Sequence, residues 1–173
     1  TTTNANINYL AKIVKLSNVR KHTKADRLQC VMIDGNNVIV GIDVHNDDIG
    51  VFFPLESQIN QEFLSALSLF RDKELNKDKE KAGFFENHRR VRALKLRDER
   101  SEGFWIELDK FCEVYSLKYD DVAKLVGTEF NLVKDSSGRE IELCKKFHLK
   151  NSLKEMRAKG MSTKRTQRGF WAR

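Results

Sequence analysis

Residues 28–44 read LQCVMIDGNNVIVGIDV, and this stretch decides the fold class. Two apolar runs, Leu28–Ile33 and Val38–Val44, flank the turn-forming residues Asp34-Gly35-Asn36-Asn37. β-Branched residues favour strands, and Asp-Gly between two such runs is a strong local indication of a hairpin. The stretch therefore predicts an antiparallel β-hairpin.

The flanking sequence repeats this pattern of short strands. The loose alternation of Tyr9–Leu16 predicts a strand before the hairpin, and Ile49–Pro54 predicts a buried strand that ends at the only proline. Asn60 is placed to cap a short helix. The apolar residues that would share one face of this helix are Phe63, Leu64, Leu67 and Phe70.

The second half of the chain continues in the same way. Arg89–Leu96 and Gly103–Leu108 predict two paired strands, Asp120–Val126 predicts one or two helical turns, and Phe130–Val133 with Ile141–Cys144 predicts a second hairpin. Many short strands with turns between them are typical of a small barrel. We therefore expect a mainly β protein. Its expected parts are an OB-type five-stranded barrel with a short inserted helix, a C-terminal hairpin and a basic tail.

The net charge is concentrated at one end of the sequence. From residue 149 onward, eight basic residues face one acidic residue, Glu155, so this segment carries the whole formal net charge of +7. We expect residues 1–148 to form a nucleic-acid-binding domain and residues 149–173 a basic linker or tail. A polyanionic partner explains the charge, because each neutralised phosphate releases counterions. A merely solvated linker is the alternative. The tail residues singled out for binding are Lys164, Arg165 and Arg168.

A second concentration of cations lies between residues 88 and 100. It consists of Arg89, Arg90, Arg92, Lys95, Arg97 and Arg100. On a strand with a β-bulge at Ala93-Leu94, these side chains would form a phosphate-binding stripe, since guanidinium groups bind phosphate oxygens bidentately. The alternative is a solvated strand face paired to neighbouring acids.

A third basic set follows the first predicted strand. Lys21, Lys24 and Arg27 surround His22 in a polar loop. The corresponding loop of OB folds helps bind oligonucleotides. We expect His22 to be a structural hydrogen-bonding residue within this set rather than a catalyst, because no nucleophile or carboxylate pairs with it in sequence. Trp105 is a candidate for base stacking, with core packing as the alternative.

Motifs for catalysis are missing from this sequence. Asp34-Gly35 resembles the end of a Lys-x-Asp-Gly adenylation motif. The lysine position is occupied by Met32, whose side chain has no nitrogen to form a phosphoramide, so the motif is not present. We therefore expect no catalytic residue, no metal site and no cofactor in this chain. The three cysteines are widely spaced, which predicts a reducing, cytoplasmic location. No apolar run is long enough to span a membrane, and the first residues are polar, so we expect no membrane partner.

Three segments, in order, carry a further pattern: AKIVKLSNVRKHTKADRL at Ala11–Leu28, VIVGIDVHNDDIGVFFPLESQI at Val38–Ile59, and RRVRALKLRDERSEGFWIEL at Arg89–Leu108. Together they resemble the N-terminal OB domain of phage and bacterial ATP-dependent RNA ligases. The shared elements are His-x-x-Ala-Asp-(Lys/Arg)-Leu and Lys-Leu-Arg-…-Ser-x-Gly. Asp98 stands where such ligases usually have glycine, which adds a negative charge next to the basic residues.

The resemblance implies an accessory role in an enzyme that joins RNA ends. The parent ligase would use ATP and Mg in a catalytic domain of the same polypeptide, and a phage protein would act in the host cell. Here the implied phosphate contacts fall on Lys95 and Arg97, and Ser101 and Gly103 would shape the turn. Similar elements occur in tRNA-binding OB domains. A free-standing tRNA- or single-strand-binding module, or a phage structural or assembly protein that reuses the barrel, therefore remains an alternative.

Overall fold

The computed structural model describes residues 9–148 together with Lys154 and Ala158. The described residues form a mainly β protein with thirteen short strands and three α-helices. The strands are β1 Ala11–Lys15, β2 Arg20–Lys21, β3 Leu28–Ile33, β4 Asn36–Gly41, β5 Ile49–Phe53, β6 Ser57–Ile59, β7 Leu94–Leu96, β8 Glu99–Ser101, β9 Phe104–Glu107, β10 Glu129–Phe130, β11 Leu132–Lys134, β12 Glu140–Glu142 and β13 Cys144–Lys146. The helices are α1 Gln61–Ala66, α2 Leu108–Tyr115 and α3 Tyr119–Ala123, with a 3-10 turn at Lys73–Leu75.

The strands form two larger antiparallel sheets and three separate pairs. One sheet has the order β10-β1-β5-β9 and the other β2-β3-β4, while β7 pairs with β8, β11 with β12, and β13 with β6. Between residues 9 and 148, no hydrogen-bonded ladder joins the two sheets into a closed barrel. The mainly β class predicted from the sequence is therefore confirmed, whereas the closed five-stranded barrel is not observed.

The hairpin that decides the fold class forms as predicted. β3 and β4 pair along their length, from Leu28 opposite Gly41 to Ile33 opposite Asn36. Asp34 and Gly35 form the two-residue turn, with φ angles of 49° and 83°. Positive φ at both central positions defines the turn whose twist matches that of the flanking strands. The Asp-Gly sequence thus sets the register of this sheet.

The core lies on both sides of β5. Phe53 belongs to a large cluster beneath the four-stranded sheet that includes Phe63 of α1 and Phe111 of α2. Its neighbour Phe52 belongs to a second cluster that includes Trp105 and side chains of the β3-β4 hairpin. Alternate residues of a strand point to opposite faces. β5 is therefore buried on both faces, which explains its continuous apolar sequence.

Helix α1 begins where the sequence predicted it. The Asn60 side chain accepts a hydrogen bond from the backbone N–H of Phe63 at 3.0 Å, which satisfies one of the free donors of the first turn. Phe63 and Leu64 are fully buried. The predicted helix near Asp120–Val126 is present as α3, and the predicted second hairpin is present as the β11-β12 pair.

Candidate nucleic-acid interface

The basic segment of residues 89–100 does not form the single strand predicted from its sequence. Of the predicted strand Arg89–Leu96, only Leu94–Leu96 forms a strand, β7, and it pairs with β8, whereas β9 pairs with β5. The predicted pairing of Arg89–Leu96 with Gly103–Leu108, and the predicted bulge, are therefore wrong. The reason is a two-residue turn at Arg97 and Asp98, with φ angles of 47° and 71°, which closes a hairpin inside the segment.

The first part of this segment is held against β6. The N–H of Val91 donates to the carbonyl of Ser57 at 2.8 Å, and the N–H of Ile59 donates to the carbonyl of Arg89 at 3.0 Å. Arg89 is only 9% exposed, and its guanidinium donates to the carbonyl of Ile59 at 2.8 Å. A buried guanidinium needs such partners, because a buried charge without hydrogen bonds is costly. Arg89 is therefore not displayed on the surface for a phosphate.

Arg90 also has protein partners. Its guanidinium forms an ion pair with Glu56 at 2.8 Å and lies over the ring of Phe147, 5.1 Å from its centroid. By contrast, Arg92 is exposed and forms no ion pair with another described residue. Of the first three arginines, Arg92 is thus the one that remains available to a ligand.

The β7-β8 hairpin displays the second part of the segment. Lys95 lies directly opposite Arg100, and Arg97 lies in the turn between them. All three side chains are exposed. Like charges at directly opposed positions of two strands are destabilising. Arg100 forms an ion pair with Glu102 at 3.6 Å. Within residues 94–101, three cations face two acids, Asp98 and Glu99, and both acids are paired to residues after β1.

The hairpin is fastened to β4. The side-chain amide of Asn37 donates to the carbonyl of Arg100 at 2.7 Å, and the N–H of Glu102 donates to the carbonyl of Asn37 at 2.7 Å. The N–H of Ile39 donates to the hydroxyl of Ser101 at 3.0 Å. These contacts fix where the cations of the hairpin lie. Asn37 was assigned only to a turn by its sequence, where nothing distinguishes it from neighbouring turn residues.

His22 connects the hairpin to the basic loop after β1. Its ring is 2% exposed, and Nδ1 accepts hydrogen bonds from the N–H groups of Lys24 and Ala25, both at 3.0 Å. Nε2 lies 2.9 Å from the carbonyl of Leu96. Because Nδ1 accepts two bonds, the ring hydrogen belongs on Nε2, which donates to Leu96. The structural role expected for His22 therefore agrees with its contacts.

Through this contact, two basic segments distant in sequence lie next to each other, and we call their exposed cations together the basic face. Its members are Lys21, Lys24, Arg27, Lys95, Arg97 and Arg100, all exposed. Lys21, Arg27, Lys95 and Arg97 form no ion pair with another described residue. The basic face can therefore offer several cations to phosphate groups without first breaking ion pairs.

Two acids within this surface are already paired. Glu99 accepts hydrogen bonds from Arg20 at 2.7 and 3.0 Å, and this contact lowers the pKa of Glu99 to about 2. Asp98 contacts the ammonium group of Lys24. Asp98 therefore partly neutralises the basic face but does not prevent the turn.

The remaining predicted site residues lie elsewhere. Trp105 is 6% exposed and packs in the second core cluster. A Cβ at Gly50 would lie 2.4 Å from the Trp105 ring, so the indole covers this glycine closely. The ring offers no open face to a base in this conformation. Lys164, Arg165 and Arg168 lie outside the described residues.

In the described part of the chain, no group of three or more His, Cys, Asp or Glu residues is arranged to hold a metal ion. The helices of the same residues include none that is long and apolar enough to cross a membrane. Cys30, Cys112 and Cys144 are buried and unbridged, as expected for small apolar side chains.

Comparisons with known proteins give matches among solved structures alone. No protein-family model matches the sequence, and no curated protein matches it. The chain is similar to Naegleria gruberi RNA ligase with PPi, at 24% identity and a TM-score of 0.46, over 72% of this chain and 36% of the ligase chain. It is also similar to a variant of that ligase with ATP and Mn, at 22% identity and a TM-score of 0.45, over 73% and 36% of the two chains. The chain thus spans little more than a third of the ligase that it matches.

Proposed function

We propose that this chain is an RNA-binding domain of the OB type that holds RNA ends for the nucleotidyltransferase domain of an RNA ligase. The observation that supports this most directly is the basic face, in which buried His22 hydrogen-bonds one cationic segment to the other. Cations held at fixed positions contact the phosphate backbone and set the orientation of the nucleic acid. In this proposal, residues 1–148 form the binding domain, and the basic residues of 149–173, including Lys164, Arg165 and Arg168, add attraction.

The catalytic steps belong to another domain in this proposal. The sequence has Met32 where an adenylated lysine would be needed, so ATP and a divalent metal would be bound by the catalytic domain rather than by this chain. The basic face would hold RNA by its phosphates while that domain acts on the ends. Trp105 has no part in this interface because it is buried.

The first test is the salt dependence of binding to single-stranded RNA. Each phosphate contact contributes about −0.7 to the slope of log K against log salt. The combined substitutions Lys95→Ala, Arg97→Ala and Arg100→Ala should therefore weaken binding and reduce the slope by about 2. The free energy of unfolding should change by less than about 0.5 kcal/mol for each exposed site. Fluorescence anisotropy across a salt series and denaturant unfolding give the two quantities.

A matched variant controls for the loss of charge alone. Lys110, Lys118 and Lys124 are exposed lysines on and around α2 and α3, and changing all three to Ala removes the same charge from another surface. In this control variant, the slope of log K against log salt should stay close to that of the unmodified protein. Equal losses in the two triple variants would show that binding depends on net charge and not on the basic face.

A further inference from the structure

A cavity of about 280 Å³ lies beside the basic face. The residues that line it include Phe84, Phe104 and Leu94 together with Arg71 and Arg92. Leu94 is also the first residue of β7, so the cavity is continuous with the hairpin that carries Lys95 and Arg97. The volume is near the lower end of ligand pockets and suits one planar ring system.

Phe84 is the most exposed phenylalanine of the described residues, with 45% of its surface accessible. Its ring stacks on Phe85 with centroids 4.8 Å apart and meets the ring of Phe104 edge-on at 5.6 Å. Phe85 is 3% exposed, and half-buried Phe104 packs against the main core cluster, so these two rings support the exposed one. Phe84 is therefore an aromatic platform with one side open to solvent.

The backbone around Phe84 is held in place. The N–H of Gly83 donates to the carbonyl of Phe70 at 2.8 Å, and the N–H of Phe85 donates to the carbonyl of Leu69 at 3.0 Å. A Cβ at Gly83 would lie 2.2 Å from the carbonyl oxygen of Leu69, so only glycine fits there. The platform is thus ordered before a ligand arrives, which reduces the entropy cost of binding.

The chemistry of the walls favours a base attached to a phosphate. An open aromatic ring binds any base through its π face, and neighbouring arginines bind phosphate. Arg71 is engaged by Glu86 at 3.1 Å, whereas Arg92 has no ion pair with any described residue. Burial, and then the charge of Arg92, lower the pKa of His88, so this wall residue is neutral at neutral pH.

We propose that this cavity holds one unpaired base of the RNA, stacked on Phe84, while Arg92 contacts the adjoining phosphate and the strand continues onto the basic face. This proposal rests on the proposed RNA-binding function. It adds a requirement for an unstacked base, which a surface made only of cations does not impose. Duplex RNA, whose bases are already stacked in pairs, should bind less well than a single strand.

The test compares three substitutions at Phe84 in the full chain. Phe84→Leu keeps an apolar contact with Phe85 but removes the ring, Phe84→Ala removes both, and Phe84→Tyr keeps the ring. With a single-stranded RNA of about twelve nucleotides, within the site sizes of OB folds, the Leu and Ala variants should bind about tenfold more weakly. The Tyr variant should bind like the unmodified protein. Leu132→Ala, at a side chain 49% exposed on β11, is the control for loss of exposed apolar surface.

Two further readouts separate stacking from charge. The salt slope should be unchanged in the Leu variant because no phosphate contact is removed. RNA that carries 2-aminopurine should lose fluorescence on binding to the unmodified protein, and it should lose less on binding to Phe84→Leu.

The possible failures can be told apart. If Phe84→Leu binds and quenches like the unmodified protein while the triple Lys95, Arg97 and Arg100 variant is impaired, the base pocket is wrong and the basic face stands. If the unmodified chain binds no RNA, both proposals fall. Thermal unfolding of each variant shows whether the protein remains folded. If Phe84→Ala does not fold, the binding of Phe84→Leu alone tests the base pocket.

Discussion

Arg89 and Arg97 belong to one basic stretch of sequence, and both have left-handed backbone angles, with φ of 62° and 47°. Their surroundings are opposite. Arg89 lies against β6 and donates to a backbone carbonyl, whereas Arg97 lies exposed in the turn of the β7-β8 hairpin. Charge density in a sequence therefore does not distinguish an arginine that stabilises the fold from one that is available to a ligand. The contacts of each part decide it, because β6 holds Arg89 whereas Arg97 lies in the turn of the β7-β8 hairpin.

The largest expected effect tests the buried member of this pair. Arg89→Met should lower the free energy of unfolding by about 2–3 kcal/mol, because the carbonyl of Ile59 loses a charged donor in a buried position. Arg97→Met, at the same kind of backbone conformation but exposed, should change it by less than about 0.5 kcal/mol. Urea unfolding of the two variants measures both. Similar losses of unfolding free energy in the two variants would contradict the division of this segment into a buried part and an exposed part.

A second prediction concerns the contact that joins the two basic segments. His22→Ala removes three hydrogen bonds of a buried ring and should cost about 2 kcal/mol of unfolding free energy. It should also weaken RNA binding, although no cation is removed, because the loop with Lys24 is no longer fastened to the hairpin. Unfolding and anisotropy measurements test the two effects. The exposed His45 provides the control, and His45→Ala should change neither quantity.

The smallest effect is expected at Asp98. Asp98→Gly removes a negative charge from the basic face, frees Lys24 and relieves a positive φ of 71°. RNA affinity should rise about two- to fivefold at low salt, since a charge that opposes phosphate is lost. Asp98→Asn should give the same gain, because asparagine tolerates this backbone conformation. The exposed Asp120 on α3 serves as the control, and a gain of equal size in Asp120→Asn would show that only net charge matters.

The elements that were predicted correctly depend on local chemistry. Asp34-Gly35 supplies the positive φ angles of the β3-β4 turn, and Asn60 caps α1 through its own side chain. Helix α2 was missed, although Leu108, Phe111 and the buried residues after them recur at helical spacing. β9 ends at Glu107 and α2 begins at Leu108 without an intervening turn residue, and Glu107 makes no capping bond with its side chain. The boundary therefore lacks the features by which a helix start is recognised.

The sequence by itself determined the mainly β class, the register of the first hairpin and the presence of basic segments, because turn chemistry and strand alternation act between neighbouring residues. Only the tertiary structure decided which cations are displayed. Arg89 is buried against β6, and Trp105 is buried in the second core cluster on the other side of β5. Lys24 lies near the β7-β8 hairpin because the His22 ring forms a hydrogen bond with the carbonyl of Leu96. These outcomes depend on contacts between segments far apart in the chain, and no local pattern specifies them.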